Sequence, residues 1–288
     1  MTEDPPYLTT KEVAELLRVK ERKVYDLAAA GEIPHRRITG KLLFPSAEIR
    51  SWIESGAEAP ATERPILLTG SHDPLLDWAL RESGAAMPTL WTGSRDGLSR
   101  FADRQAAVVG LHIPEDDGWN CKSLAACGLT EAVLIAWAVR SRGLLLAPGL
   151  GAQIRNFNDL AGRRVVRRQP GAGAAALFEK LAGQAGLAEE EILPVARLAR
   201  TESDAAAMVS AGEADAALGI LSMARRFRLD FLPLIGERYD LLVDRRAFFS
   251  DPMQRLVGFA RSPAFHERAG AMGGYALDEA GTVRWLSP

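Results

Sequence analysis

The sequence predicts an α/β protein made of two unlike domains, and three observations support this prediction. Residues 1–54 carry two short helical patterns followed by an extended pattern, residues 55–65 carry no apolar periodicity, and residues 66–288 alternate short apolar runs with amphipathic helices. Alternation of the last kind is typical of a sheet covered by helices. A chain of 288 residues is long enough for both domains and one sizeable core.

The first domain is predicted to begin with two helices. Thr10 can cap a helix whose apolar residues lie at helical spacing up to Leu17, and the break Arg18–Lys20 is too short for anything but a tight turn. Gly31 can end the second helix in the left-handed conformation, and Pro34 prevents it from continuing. Two short helices joined in this way have the geometry of a helix-turn-helix.

After Gly31 the apolar spacing becomes extended. A turn at Thr39-Gly40 between two such runs predicts a small hairpin, and Ser46–Trp52 is predicted to form a third helix. In this order of elements, Leu8–Trp52 resembles the excisionase-type winged helix-turn-helix family, which is related to the MerR regulators. The resemblance implies that residues 1–54 form a DNA-binding domain, with double-stranded DNA as the expected partner.

The candidate DNA-binding side chains form two clusters. Side chains near the start of the second helix can reach base edges in a major groove, and cations on the hairpin can contact flanking phosphates. The first cluster, the groove set, is Lys20, Arg22, Lys23 and Tyr25; the second, the wing set, is Arg36, Arg37 and Lys41. The alternative is that these charges only solvate one face of a small domain. Because residues 1–56 hold nine Lys/Arg and nine Asp/Glu, non-specific affinity for DNA is expected to be modest.

The stretch SGAEAPATERP, residues 55–65, predicts a semi-rigid linker because of its two prolines. From Ile66 onward the alternation of strands and helices predicts an open α/β sheet with parallel strands. Ala132–Val139 is predicted as a strand, although a buried helix fits its pattern equally well. The predicted strands are Ile66–Leu68, Met87–Trp91, Ala106–Leu111, Ala132–Val139, Leu144–Ala147, Arg164–Arg168, Ala214–Gly219, Phe231–Ile235 and Tyr239–Val243. The predicted helices are Leu75–Arg81, Leu98–Arg104, Ala172–Ala185, Ser203–Ala211, Met253–Phe259 and Phe265–Met272.

Five short motifs, in order, cover nearly all of residues 66–288. They are GSHDPLLD at Gly70–Asp77, TGSRDGL at Thr92–Leu98, RRQPGAG at Arg167–Gly173, AGEADAALGI at Ala211–Ile220 and LDFLPLIGERYDLLV at Leu229–Val243. Together they resemble the periplasmic-binding-protein-like (type II) domain, specifically a cytoplasmic branch similar to molybdate-binding proteins. The resemblance implies two lobes, lobe I at about residues 66–147 and 236–288 and lobe II at about 148–235, with a ligand held in the cleft between them.

The motifs place glycine-containing turns after strands and before helices. Helix N-termini present unsatisfied N–H groups and a partial positive charge, so several that converge on one cleft can bind an oxyanion. The candidate ligand-binding residues are Ser71, His72, Ser94, Arg168, Gly171, Ala172, Gly173 and Tyr239, of which Arg168 and Tyr239 are implied by the resemblance. Molybdate or tungstate is the expected ligand, and no other cofactor is expected.

Each of these residues also has a plain structural alternative. Ser71 and Ser94 can be N-caps of their own helices, His72 can be structural, and Tyr239 can pack its ring in the hinge. Asp73 is expected to complement the dipole of the helix that follows it.

The second-lobe loop departs from the family pattern. Relatives usually carry Ser, Thr and Arg where this chain has Ala172, Ala174 and Ala175. Each lost neutral hydrogen bond is worth about 0.5–1.5 kcal/mol. The alternative ligand is therefore a less charged or partly apolar organic metabolite.

Two further functional classes fit less well. A molybdenum-cofactor enzyme or insertion factor would need a nucleophile beside a base, but the four histidines are scattered and neither Cys121 nor Cys127 has a basic neighbour beyond Lys122. A recombination accessory factor, as true excisionases are, needs no large sensor domain. No catalytic residue and no metal site are therefore expected, and both thiols are expected to be reduced.

The expected protein is a transcription regulator in the cytoplasm without membrane contact, because the chain has neither a signal-peptide pattern nor a long apolar run. Since one helix-turn-helix seldom holds a specific site alone, a homodimer on a pseudo-palindromic operator is expected.

Overall fold

The computed structural model describes residues 5–38, 40–56, 64–193 and 195–288. The chain divides into two compact units, Met1–Glu63 and Arg64–Pro288. Most of the predicted linker, residues 57–63, lies outside the described residues, so the linker stays a prediction.

The N-terminal unit contains three helices and a three-stranded sheet of order β1-β3-β2. The helices are α1 (Thr10–Leu17), α2 (Glu21–Ala29) and α3 (Ser46–Gly56), and the strands are β1 (Tyr7–Leu8), β2 (Arg36–Ile38) and β3 (Lys41–Pro45). β1 pairs with β3 and was not predicted, because two residues beside Pro5-Pro6 are too short to show a pattern. The predicted hairpin is present as β2 and β3; Thr39, in its turn, lies outside the described residues.

The cap of α1 lies one residue earlier than predicted. Thr9, not Thr10, is the N-cap: its hydroxyl accepts from the Glu12 amide while the Glu12 carboxylate accepts from the Thr9 amide at 2.7 Å. Thr10 is the first helical residue and is buried. Both residues are threonine, but only the first has an acidic residue three positions further on, which completes the reciprocal capping arrangement.

The helix-turn-helix angle is fixed by a left-handed residue. Arg18 ends α1 with φ 54°, and the Val19 amide donates to the Ala14 carbonyl at 2.9 Å. The two helices then pack through one shared core with the hairpin and α3, formed by Val13, Ala14, Val24, Ala28, Ile33, Phe44 and Ile49. Val24 and Ala28 occupy the inner face of α2, with Leu27 packed partly against the same core. Tyr25 and Asp26 are exposed on the outer face.

The larger unit contains one mixed sheet of order β5-β4-β6-β10-β7-β9-β8, with β11 and β12 also paired to β7. Its strands are β4 (Leu68–Gly70), β5 (Thr89–Trp91), β6 (Val108–Leu111), β7 (Ala132–Leu146), β8 (Val165–Val166), β9 (Ala216–Ile220), β10 (Asp230–Asp244), β11 (Tyr275–Ala276) and β12 (Val283–Leu286). Pairing is parallel at the two ends of the sheet, between β4 and its neighbours and between β8 and β9. The prediction of parallel strands throughout is wrong in the middle, where β7 and β10 run antiparallel.

Two pairs of predicted strands are single long strands. β7 joins Ala132–Val139 to Leu144–Ala147, and β10 joins Phe231–Ile235 to Tyr239–Val243. The sequence predicted a break in each strand, at Arg140 and Arg142 in β7 and at Glu237 in β10, because charged residues are normally exposed to solvent. Here all three side chains are fully buried.

The helices of the larger unit begin close to the predicted positions. They are α4 (Pro74–Glu82), α5 (Ser94–Ala102), α6 (Cys121–Ala125), α7 (Gly173–Ala185), α8 (Glu202–Ser210), α9 (Leu221–Phe227), α10 (Arg245–Phe248), α11 (Asp251–Phe259) and α12 (Pro263–Met272). The exception is α5, which starts four residues before the predicted Leu98, since Gly93 with φ 102° turns the chain directly into it. The helices α6, α9 and α10 were not predicted.

Hydrophobic packing divides the larger unit into two lobes. In the first lobe, α4, α11 and α12 pack with β4 and β6. In the second lobe, α7, α8 and α9 pack with β8 and β9. β7 and β10 contribute to the cores of both lobes, so these two strands connect them. No described helix is long and apolar enough to cross a membrane.

Candidate functional site: a DNA-binding face and an interlobe ligand site

The groove set lies on the outer face of the helix-turn-helix. Lys20 is the N-cap of α2, and Arg22, Lys23 and Tyr25 lie in its first turns; all four are exposed, Tyr25 to 51%. Within the described part of the chain, none of the three cations has an ion-pair partner. Side chains at the start of a second helix that are exposed and unpaired are free to reach base edges and phosphates.

The wing set is exposed on the hairpin. Arg36 and Arg37 lie on β2 and Lys41 begins β3. Nη2 of Arg36 lies 2.8 Å from Oε1 of Glu48, with both side chains about half exposed. A surface pair of this kind contributes only about 0–1 kcal/mol, so it leaves Arg36 available to a phosphate.

Buried ion pairs connect the two lobes through the long strands. Oε2 of Glu237 on β10 accepts from Nη2 of Arg140 at 2.6 Å and from Nε of Arg142 at 2.7 Å, both on β7. Arg140 also donates to Asp73 of the first lobe at 3.0 Å, and Arg142 donates to Glu202 of the second lobe at 3.0 Å. These residues and Arg168, the strand cluster, hold three cations and three carboxylates.

The charges in the strand cluster stabilise one another against burial. Burial raises the pKa of Glu202, but the charges of Arg142 and Arg168 outweigh it and lower the pKa to about 2. Burial likewise opposes ionisation of Glu237, and the neighbouring arginines hold its pKa well below the ordinary value. His112, whose Nδ1 lies 2.6 Å from Oε1 of Glu237, has its pKa lowered by burial. The cluster is therefore a set of ionised pairs beside a neutral imidazole.

Ser71 and Ser94, the two serines predicted to bind ligand, contact each other. Their Oγ atoms lie 2.9 Å apart, and Ser94 Oγ also accepts from the His112 amide at 3.1 Å. Neither serine caps its helix, because Asp73 is the N-cap of α4 and Gly93 is the N-cap of α5. The predicted dipole role of Asp73 is thus a direct cap, with its carboxylate accepting from the Leu76 amide at 2.8 Å.

Tyr239 and Arg168 are also buried with partners inside the protein. The Tyr239 hydroxyl donates to the Ser71 carbonyl, and the Arg140 guanidinium lies 4.3 Å from the centroid of its ring. Nη1 of Arg168 lies 2.9 Å from Oε1 of Glu202. Arg167, the neighbouring residue, lies against the Phe178 ring instead.

The second-lobe loop contacts the first lobe directly. The Arg95 amide donates to the Gly171 carbonyl at 3.1 Å. A Cβ at Gly173 would lie 2.4 Å from the His112 carbonyl oxygen, and one at Gly93 would lie 3.2 Å from Cα of Ala172. Ser71, Ser94, Tyr239 and residues 171–173 therefore lie together where the lobes touch. The three hydroxyl groups among them bond to protein.

A cavity of about 530 Å³ lies beside this contact, between α4 and α12 of the first lobe and α8 and α9 of the second. It is lined by His72 and Trp78 and by four arginines, Arg81, Arg225, Arg226 and Arg268. His72 is the only predicted ligand residue among its lining residues. Burial lowers the pKa of His72.

Sequence reasoning named Asp73 and Arg168 but missed the other members of the strand cluster, and it also missed the arginines of the cavity. A signal for the first existed: Arg140 and Arg142 stand two apart in a long apolar run, so a continuous strand would place both on one face. No comparable signal marks the cavity, because its arginines come from helices far apart in sequence.

The fold and these sites define a two-lobed ligand-binding domain joined to a helix-turn-helix DNA-binding domain, a combination typical of regulators rather than of catalysts. The model of the PBP superfamily domain matches residues 78–261, more than half of the chain, so the protein belongs to the PBP superfamily. A helix-turn-helix domain model matches residues 7–57. The predicted fusion and fold class are confirmed.

The chain is similar to one protein sequence and to several solved structures. The chain is 26% identical over 267 residues to the uncharacterized protein YvgK of Bacillus subtilis, covering 84% of this chain and 86% of that one. A putative phosphate ABC transporter substrate-binding protein from Clostridium perfringens, solved with bound phosphate, covers 75% of this chain and 99% of its own, with TM-score 0.53 and 10% identity. The match to OxyR of Corynebacterium glutamicum covers 92% of this chain and 89% of the OxyR chain, with TM-score 0.49 and 12% identity. At these identities the structural likeness concerns the fold alone.

Proposed function

We propose that the protein is a one-component transcription regulator. Its N-terminal domain binds operator DNA through the groove and wing sets, and its two-lobed domain binds a small ligand that changes the affinity for that DNA. The observation that carries this proposal is the presence, in one chain, of a PBP superfamily domain and of exposed cations at the start of α2 that pair with no carboxylate among the described residues. A homodimer is the proposed binding unit, because two half-sites give the affinity that one short helix lacks.

A mobility-shift assay with the native promoter region tests DNA binding. We expect the full-length chain to shift this DNA at low salt, and Arg22→Gln with Lys23→Gln to weaken binding by at least tenfold, since each base contact is worth about 1–3 kcal/mol. Arg246→Gln with Arg261→Gln, two exposed arginines of the larger unit, is the matched control and should bind like the parent. An unshifted promoter fragment at low salt overturns the proposal.

The first candidate ligand is a tetrahedral oxyanion, molybdate or tungstate, bound by the eight residues proposed from the sequence. This candidate requires Ser71 and Ser94 to exchange their mutual hydrogen bond for the ligand, and Arg168 to share its charge with Glu202. Calorimetry with molybdate and tungstate tests it. Ser71→Ala with Ser94→Ala should then weaken binding by at least tenfold, whereas heat-silent titrations with both anions remove the candidate.

The second candidate ligand is an organic metabolite, and two observations favour it. Alanine at positions 172, 174 and 175 supplies no side-chain donor, and the hydroxyls of Ser71, Ser94 and Tyr239 already bond to protein. Binding of a metabolite but of neither oxyanion, in the same calorimeter cell, is the result that selects this candidate.

Regulation requires the ligand to bind two states of the protein with different affinity. A coupling free energy of about 1–3 kcal/mol corresponds to a change in DNA affinity of roughly 5–150-fold. Because coupling of binding free energies is reciprocal, operator DNA should change the ligand affinity by the same factor.

A further inference from the structure

The cavity between α4, α12, α8 and α9 is too large for an inorganic oxyanion. Its volume is about 530 Å³, whereas four oxygen atoms at about 30 Å³ each, the share of a liquid water molecule, fill on the order of 120 Å³. Pockets for small organic molecules are commonly about 300–1,000 Å³. The cavity therefore has the size of an organic metabolite site.

The lining of the cavity is strongly cationic. Arg225 and Arg226 lie in the last turn of α9 and Arg268 lies on α12. Across the described ranges, none of these three arginines has a carboxylate within ion-pair distance, while the fourth, Arg81, is paired with Asp77 at 2.6 Å. Like charges around one concave surface raise the local concentration of anions, and guanidinium groups bind carboxylate and phosphate in a bidentate way.

An aromatic side chain, Trp78, lines the cavity next to these charges. The Trp78 ring lines the cavity, and the guanidinium carbon of Arg268 lies 5.5 Å from the centroid of that ring. A flat apolar surface next to cations suits a ligand that carries a carbon body as well as an anionic group.

One buried polar atom at the cavity has no hydrogen-bond partner in the part of the chain that the structure describes. It is Nδ1 of His72, and His72 lines the cavity. Because buried polar groups in proteins are nearly always paired, an atom of this kind indicates a place where a ligand or water donates or accepts. His72 comes from the first lobe, and Ser222 of the second lobe also lines the cavity.

Arg225 also links the two lobes. A Cβ at Gly273, just after α12, would lie 2.0 Å from Nη1 of Arg225, so the guanidinium lies directly on the Gly273 backbone. A ligand bound to Arg225 therefore contacts a side chain that spans from the second lobe to the first.

We propose that this cavity is the effector site and that it binds a small organic dianion, a phosphate monoester or a polycarboxylate, across the two lobes. The proposal rests on the regulator function proposed above and names its ligand class. The anionic group binds Arg225, Arg226 and Arg268, and the carbon body packs on Trp78. The inorganic oxyanion lacks that body and leaves most of the cavity unfilled.

Calorimetry on the full-length chain tests this site with four anionic probes and one neutral probe. The organic dianions are glycerol 3-phosphate and succinate, which separate a phosphate ester from a polycarboxylate; the inorganic anions are phosphate and molybdate; the neutral probe is glycerol. We expect at least one organic dianion to bind at least tenfold more tightly than either inorganic anion, and glycerol not to bind. Failure of both organic dianions to bind overturns the proposal.

Substitutions of the cavity arginines test whether the organic dianion binds in this cavity. Arg225→Gln with Arg268→Gln should weaken the organic dianion by at least tenfold, and the single charge reversal Arg226→Glu should do the same without touching the lobe contact at Gly273. Arg261→Gln, an exposed arginine outside the cavity lining, is the matched control and should bind like the parent. Binding that is unchanged in both cavity variants overturns the site.

A promoter shift measured on the same samples separates the two proposals. If the promoter shifts while neither organic dianion binds, the effector site is wrong and the DNA-binding function stands. If an organic dianion binds and the promoter does not shift, the site stands and the regulator function is wrong.

Discussion

Individual buried charged residues connect the two lobes of the larger unit through ion pairs. Glu237 accepts from two arginines of β7, and those arginines reach Asp73 in one lobe and Glu202 in the other. Breaking a buried ion pair by removing one partner is far more damaging than losing a surface pair, because the remaining charge is left buried. The cluster should therefore be sensitive to substitutions that preserve shape and remove charge.

Glu237→Gln tests this sensitivity. It leaves Arg140 and Arg142 with an amide in place of a carboxylate, and we expect the free energy of unfolding to fall by about 3–5 kcal/mol in a denaturant titration. Glu213→Gln, which removes an exposed carboxylate paired with Arg197 at 3.4 Å, should change it by less than about 0.5 kcal/mol. Equal effects of the two substitutions would contradict the structural role of the cluster.

Asp240 gives a pH dependence of the opposite sign to an ordinary ion-paired carboxylate. Burial raises its pKa to about 6, only partly offset by the hydrogen bond from Asn120 at 2.7 Å. Because the folded-state pKa lies above the unfolded value, the folded protein binds the proton more tightly, and stability falls as the pH rises from about 4 to about 6.

Asp240→Asn should remove the loss of stability that accompanies ionisation of Asp240. We expect the variant to exceed the parent in unfolding free energy by about 1–3 kcal/mol at pH 8, and the difference to shrink towards zero near pH 4. Chemical denaturation at both pH values measures it. A difference that is the same at pH 4 and pH 8 would rule out titration of Asp240 as its source.

At the scale of elements, local patterns predicted the helices well and the long strands poorly. The helix-turn-helix follows from apolar spacing, a left-handed Gly31 and Pro34, all of which act within a few residues. β7 and β10 were split because their charged residues are buried by partners far away in sequence, as with Glu237 and Arg140. Such long-range pairing leaves no local signal, so only an unbroken strand pattern across charges could have indicated it.

The same limit applies to the candidate site. The motif matches named Ser71, Ser94, Tyr239 and the 171–173 loop, and these do lie near one another where the lobes touch. Whether they bind ligand stays a prediction. The arginines around the cavity come from α4, α9 and α12, and their convergence depends on the packing of the two lobes.

The close approach of α7 to the first lobe gives an element-scale prediction. Gly173→Ala places a Cβ 2.4 Å from the His112 carbonyl, so the loops must move apart, and we expect unfolding free energy to fall by about 1–3 kcal/mol. Gly183→Ala on the same helix meets nothing within 4 Å and should instead stabilise by about 0.5–1 kcal/mol. Stabilisation by both substitutions, in thermal or denaturant unfolding, would show that the lobes do not touch there in solution.

At the scale of the whole molecule, the chain joins a helix-turn-helix domain to a two-lobed domain that belongs to the PBP superfamily. In the proposed function, a ligand bound to the larger of the two compact units changes DNA binding by the smaller one. For that to occur, the state of the lobes must be coupled to the arrangement of the helix-turn-helix units on the operator.

The affinity of the full-length protein for its promoter DNA, measured with and without a saturating concentration of the dianion that calorimetry selects, tests this coupling most directly. We predict a change of roughly 5–150-fold in the dissociation constant, abolished by Arg225→Gln with Arg268→Gln and retained in Arg261→Gln. An affinity for the promoter that is identical with and without the bound dianion would contradict the account.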